Sequence, residues 1–297
     1  MAHEHDPSQV KDYGKAFAIG IALNLIYIII EAAYGFIINS LALLADAGHN
    51  LSDVLGLLLA WGASYLVKKA ATDKHTYGFR KSSVLAALLN ALILLVAIGA
   101  IAWEAIGRFG NPQIIEGKTV MIVAGIGVLI NSATALLFFS GRKQDLNIKG
   151  AFLHMAADAG ISLGVVMAGF LLLYTNLYWV DPFISIFIAL IIFWGTWKLL
   201  KDSVNLALDA VPENIDKKSV EKYLSSLPEI AHFHDLHIWA LSTTETALTV
   251  HVVVNNSCHR NTLIQTISET LKHKFSIIHS TIQIEDLSKT DCRQNQF

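Results

Sequence analysis

The stretch Leu41–Val67, LALLADAGHNLSDVLGLLLAWGASYLV, decides how the rest of the chain is read. It is long and apolar enough to cross a bilayer, which takes about 20 helical residues, yet it carries Asp46, His49 and Asp53 inside. A second apolar stretch, Ala151–Tyr174, repeats the pattern with His154 and Asp158. In both, the His precedes the Asp by one helical turn, and positions i and i+4 lie on one face of a helix. Ionisable groups inside a membrane span are costly, normally face the bundle interior and mark an ion or proton path. Together the two pairs supply two nitrogens and two oxygens, a set that tetrahedral zinc accepts. Hydrogen bonding between helices would explain a lone polar residue, but it explains poorly two pairs at the same spacing.

Composition agrees with a membrane setting. Of 297 residues, 54% are hydrophobic and 15% charged, and the mean hydropathy is +0.49. Those values fit a multi-span membrane protein better than a soluble one. A net charge of −2 gives no case for nucleic acid. Cys258 and Cys292, both in the polar C-terminal part, are too few for a disulfide framework and fit a reduced cytosolic setting. The N-terminal MAHEHDPSQVKDYGK lacks the basic region and cleavage site of a signal peptide, so the first apolar run is expected to stay as a span. Nothing calls for an organic cofactor.

Six runs reach spanning length: Ala16–Ile38, Leu41–Val67, Ser82–Ile106, Val120–Ser140, Ala151–Tyr174 and Trp179–Leu200. Lys68, Lys69, Lys74, Arg80 and Lys81 crowd the second-to-third link, and Arg142, Lys143 and Lys149 the fourth-to-fifth. By the positive-inside rule these links and both termini are cytoplasmic. Asp158 then lies about 10 Å from its cytoplasmic boundary and Asp53 about 21 Å from Val67, at about 1.5 Å per residue. The pairs share a depth only if the second helix extends several turns beyond the membrane. Asp46, on the face of His49 and Asp53, would be a further ligand, an acceptor for an imidazole N–H outside the ligand set, or an entrance-side carboxylate. The middle role is favoured. Glu31, Asn24, Asn90, Glu104 and Asn131 lack partner spacing and read as helix-packing polar groups, and Gly160 with Gly164 as a close-packing GxxxG.

From about Asp209 the chain reads as a small soluble domain in the order αββαβ. A helix follows Asp216, strands fall at FHDLHIWALS and ETALTVHVVV, an amphipathic helix covers 260–275, and STIQIE is the last strand. That order suggests a ferredoxin-like sheet backed by helices. The expected division is a tail over 1–15, a six-helix membrane domain over 16–208, the αββαβ domain over 209–287 and a loose tail over 288–297. His234, His251, His279 and Glu285 lie on or beside the strands and could form a cytosolic metal site. His232, His259 and His273 read as surface residues.

SLALLADAGHNLSDVLGL, HMAADAGISLGVV and the run HDLHIWALS…HSTIQIE resemble the cation diffusion facilitator family over about residues 15–286. The paired HxxxD motifs resemble its zinc-type branch. The resemblance implies that His49, Asp53, His154 and Asp158 bind the transported ion, most readily Zn2+. It further implies a homodimer of six-span protomers in the cell membrane, exporting the ion in exchange for protons, with a regulatory metal in the cytosolic domain. Lys81 and Asp209 resemble a charge pair that ties the membrane and cytosolic halves of that dimer together. His75 matches one ligand of a peripheral site in the second-to-third link, where Phe79 replaces another. Two other readings of the same residues are an intramembrane metallohydrolase, for which no HExxH or spaced general base is present, and a metal sensor without flux.

Overall fold

The structure is a computed structural model, and it describes residues 14–67, 69–139, 146–175, 177–254 and 260–286. Residues 1–13 of the expected N-terminal tail, the whole expected tail over 288–297, and Cys258, His259 and Cys292 lie outside the described residues.

Six long helices come first: α1 (Gly14–Ile37), α2 (Leu41–Val67), α3 (Ser82–Gly110), α4 (Gly117–Phe138), α5 (Leu146–Thr175) and α6 (Val180–Ala207). They coincide with the six apolar runs, but their ends differ where helix continues into polar sequence. α5 starts at Leu146, ahead of the apolar run, and α6 continues to Ala207. Among the described residues α3 to α6 are each long and apolar enough to span, and α1 adds the shorter apolar stretch Ala22–Ile37. Phe36, Trp103, Leu129 and Trp194 point outward and are exposed. Such side chains are costly in water and at home in hydrocarbon.

The described residues form two compact units. One holds the chain up to Leu57 with Asn90–Trp197, and the other holds Leu58–Leu89 with the chain from Lys198 onward. Within the first, Leu43 of α2, Leu94 and Ile98 of α3, Val123 of α4, Leu172 of α5 and Ile188 of α6 share one buried cluster. α4 and α5 cross at glycines: a Cβ on Gly117 would stand 2.7 Å from the Gly169 carbonyl oxygen, and one on Gly169 would stand 2.7 Å from the Met121 nitrogen. The expected GxxxG contact is corrected by this, because a Cβ on Gly160 or Gly164 meets nothing within 4 Å. Spacing alone does not say which face of a helix meets a neighbour.

The start of α2 is fixed from α6. Asp181 accepts hydrogen bonds from the Ser40 hydroxyl at 2.5 Å, the Leu41 N–H at 2.9 Å and the Ala42 N–H at 3.2 Å. The first N–H groups of a helix have no partner within it, and here a buried carboxylate from another helix supplies one. The preceding turn holds Asn39 at φ 58°, and Arg108 of α3 donates to its backbone oxygen at 2.5 Å and its side-chain oxygen at 2.8 Å. Asn tolerates that left-handed backbone better than most residues.

The remaining elements are α7 (Lys217–Ser225), β1 (Ile230–Ala240), β2 (Thr246–Val254), α8 (Arg260–Phe275) and β3 (Ile277–Asp286), the αββαβ order expected. Asp216 caps α7, accepting from the Lys218 N–H at 3.1 Å and the Ser219 hydroxyl at 2.5 Å. These donors, with the Ser219 hydroxyl foremost, hold its carboxyl below the ordinary value. β1 pairs antiparallel with β2, and β3 pairs parallel with β2, with α8 as the crossover connection that a parallel pair needs. Val220 and Leu224 of α7 and Leu263, Ile267 and Leu271 of α8 pack with Leu248, Val250 and Val252 of β2. Alternation then turns His251 to the other face.

Candidate metal sites

α2 and α5 bring the two His-Asp pairs together crosswise. His49 Nε2 stands 3.4 Å from Asp158 Oδ1, and His154 Nε2 stands 3.2 Å from Asp53 Oδ2 and 3.7 Å from Asp158 Oδ2. The imidazole rings meet edge to face at 6.4 Å. Ligand atoms of His49, Asp53 and Asp158 all lie within 4.8 Å of one another. Asp158 is buried, His49 and Asp53 are half-buried and His154 is exposed. Asp53 Oδ2 and Asp158 Oδ1, the oxygens that face His154 and His49, are buried without a well-formed hydrogen bond. The two pairs therefore meet at one level, and the turns of α2 from Leu58 onward belong to the other compact unit.

Asp46 lies one turn before His49 and is completely buried. Its Oδ2 accepts from the Ser162 hydroxyl of α5 at 2.8 Å and its Oδ1 faces Asn50 Nδ2 at 3.5 Å. Its hydrogen bonds therefore run to Ser162 and Asn50, and none runs to an imidazole N–H.

In the C-terminal domain three of the four expected side chains come together. β1 and β2 pair His234 with His251. His251 Nδ1 is 2.7 Å from Glu285 Oε1 and His234 Nε2 is 3.2 Å from Glu285 Oε2. Burial pushes the Glu285 carboxyl up, but hydrogen bonds from His251 and His234 together outweigh it and hold the group below its ordinary value. Ligand atoms of these three residues lie within 4.8 Å of one another. Gln283 donates to Glu285 Oε1 at 3.1 Å.

His279 is not part of that cluster. It pairs with Ala247, whereas Gln283 pairs with His251, and six strand residues at about 3.3 Å each separate it from Glu285 by about 20 Å. Its ring instead stands edge-on to Tyr77 at 5.7 Å. Asp235, not singled out from the sequence, sits 2.8 Å from His237 Nε2 and 3.8 Å from His251 Nε2. Its signal was the HDLH run, where one carboxylate interrupts alternating histidines.

Lys81 and Asp209 form an ion pair, and Arg80 beside it pairs with Glu245 at 2.5 Å. Ser83 Oγ accepts from the Thr243 N–H at 3.1 Å. Arg80 and Glu245 are 165 positions apart, so no spacing rule could have paired them. His75 stacks on Phe79 at 4.7 Å, a neighbour that offers no ligand atom.

A bundle of long apolar helices in which imidazoles and carboxylates of two helices meet, followed by a small domain with its own His-Glu cluster, describes a membrane protein with two groups of side chains of the metal-ligand type. Residues 17–206 match the family model described as the cation efflux transmembrane domain, and 212–287 match the cation efflux protein cytoplasmic domain. The chain belongs to this cation efflux family of multi-pass membrane transporters, which are not enzymes. It is 36% identical to a metal cation efflux system protein, CzcD, of Cupriavidus metallidurans, over 95% of this chain and 89% of that protein. It is 35% identical to a cadmium, cobalt and zinc/H(+)-K(+) antiporter of Bacillus subtilis, over 96% of this chain and 92% of that one. It is 33% identical to the zinc transporter ZitB of Escherichia coli, over 99% of this chain and 96% of that one.

Proposed function

We propose that this chain exports divalent cations from the cytoplasm in exchange for protons, with Zn2+ as its main cargo, and that His49, Asp53, His154 and Asp158 hold the ion. One observation carries the reading. A tetrahedral zinc with N and O ligands at about 2.0–2.2 Å has ligand atoms about 3.3–3.5 Å apart. The crosswise contacts of 3.4 and 3.2 Å, and the 3.7 Å contact within α5, lie close to that edge length. The names of the relatives, a zinc transporter and a cadmium, cobalt and zinc/H(+)-K(+) antiporter, support a divalent cargo that includes zinc and support the exchange.

Exchange follows from ligand chemistry. The ion needs neutral imidazoles and ionised carboxylates, so protons compete with it for the same four side chains. Alternating access then loads the site from the cytoplasm and empties it where proton concentration is higher. Basic residues in the α2–α3 and α4–α5 links orient both termini to the cytoplasm. The functional unit is a homodimer in the cell membrane, with the Lys81–Asp209 pair joining its membrane and cytosolic parts. His234, His251 and Glu285 hold a regulatory ion, which by occupying them stiffens the cytosolic domain.

The test is a metal-flux panel on purified protein in vesicles, with zinc, cadmium, cobalt, nickel and manganese each competing against zinc. Zinc flux that none of the others outcompetes is expected. No zinc flux at all would refute the reading. Softer nitrogen ligands predict manganese to be the weakest competitor.

A further inference from the structure

Beside the proposed ion site lies a second polar cluster that the transport reading leaves unused. Glu31 of α1 and Asp46 of α2 are both 0% exposed. Tyr27, one turn before Glu31, donates its hydroxyl to Glu31 Oε1 at 2.6 Å. Asp46 is held by Ser162 of α5 and Asn50 as described above. Glu31 Oε2 is buried without a well-formed hydrogen bond, and the Asp46 carboxyl and the Asn50 amide are its polar neighbours across the α1–α2 contact. Among the described residues no cation compensates them: Arg108, the buried arginine of this unit, is spent on Asn39 and Glu104.

Two touching carboxyls buried without a cation do not both ionise, because like charges repel and burial already disfavours charge. A proton between them removes the repulsion and gives Glu31 Oε2 a well-formed hydrogen bond. We propose that Glu31 and Asp46 share one proton and form a proton-carrying site of the exchange, separate from the four ion-binding side chains. This deepens the transport reading and rests on it. Asp46 lies one helical turn from His49, so an incoming dication brings positive charge close to the pair. The O–H bond to the shared proton then breaks, the proton passes to water, and the pair moves from one negative charge to two. When the ion leaves, a proton from water restores the first state.

Among the described residues the titratable groups facing the pair are few. Tyr27 faces it from α1, His49 from α2 and Asp158 from α5. α4 meets Tyr27 at Gly127, where a Cβ would collide with the phenol, and its one charged residue is Lys118, near its start. α3 places Glu104 and Arg108 in its last turns, and Asp181 of α6 is occupied at the start of α2. Ser162 is the link to α5, so the charge state of the pair is felt by the helix that carries His154 and Asp158.

The experiment counts protons released when zinc binds to the purified full-length protein in detergent, using a pH-indicator dye in weak buffer near neutrality. Glu31→Gln keeps the side-chain shape, and its amide donates to Asp46 in place of the shared proton. The variant is expected to bind zinc but to release one proton fewer per ion than wild type. An equal count overturns the proposal while leaving the ion site standing. Wild-type protein that binds no zinc overturns both. Should Glu31→Gln fail to fold, infrared difference spectra of the wild type decide: a protonated-carboxyl carbonyl band that disappears on adding zinc supports the pair, and no such band overturns it.

Discussion

Replacing Asp181 tests how α2, the helix that carries His49 and Asp53, is held in position. Asp181→Ala removes one buried acceptor and strands three donors: the Ser40 hydroxyl and the N–H groups of Leu41 and Ala42, at 2.5, 2.9 and 3.2 Å. A hydrogen bond to a charged group contributes about 1.5–3 kcal/mol, and loss of a helix cap costs about 0.5–2 kcal/mol. Because the three bonds share one acceptor they do not add, and a total of about 3–5 kcal/mol is expected. Asp181→Asn keeps one oxygen and loses the charge, so about half of that is expected from it. The Arg108–Asn39 contacts remain in both variants, so the turn stays attached and α2 loosens without detaching. Thermal unfolding of the purified protein in detergent, followed by tryptophan fluorescence, should rank wild type above Asn and Asn above Ala. Zinc affinity should fall in the same order. Three coincident melting curves would refute the reasoning, and unchanged stability with lost flux would mean that Asp181 acts on the ion itself.

The other expectations concern the two metal clusters. Asp53→Ala or Asp158→Ala should abolish zinc flux while leaving a folded, inserted protein, because each carboxylate closes one of the cross-paired contacts. Changing His49 and His154 together to Asp gives an all-oxygen set suited to harder ions, so zinc-to-manganese preference should drop in competition flux. An unchanged ratio would place selectivity in helix spacing. In the C-terminal domain, zinc at 100 times its Kd should stabilise the wild type by about 2.7 kcal/mol, and the His234→Ala, His251→Ala double variant should lose that gain. Without metal, Glu285 has a carboxyl held below its ordinary value, so its contribution is full above about pH 4.3 and fades as pH falls through the folded-state value. Glu285→Gln should therefore be less stable near neutrality and indistinguishable from wild type in strong acid. A gap that persists in acid would assign the effect to packing.

What the sequence disclosed and what it hid divides along local and long-range lines. The i,i+4 pairs on two helices, the Asp216 cap and the amphipathic helix at 260–275 are local patterns, and the structure has α7 and α8 where those patterns put them. The crosswise joining of His49 with Asp158 and His154 with Asp53 is not local, since helical spacing alone pairs each His with its own Asp. His279 was grouped with Glu285 because both flank one strand, but strand length was left out of that reading. Glu31 reads from the sequence as a packing residue. Its hydrogen-bonding partner Tyr27 is one turn away, while Asp46 comes near it only through the bundle. Asp181 carried no signal, since its three donors lie about 140 positions earlier in the chain.

The central claim is that one cluster binds the ion and takes protons in exchange. It is tested most directly by zinc flux in oriented vesicles, with and without a pH gradient, for wild type and Asp158→Ala. Wild type should export zinc faster when the releasing side is more acidic, and Asp158→Ala should stay silent at every pH. Zinc flux that ignores the gradient, or that survives in Asp158→Ala, would contradict the account.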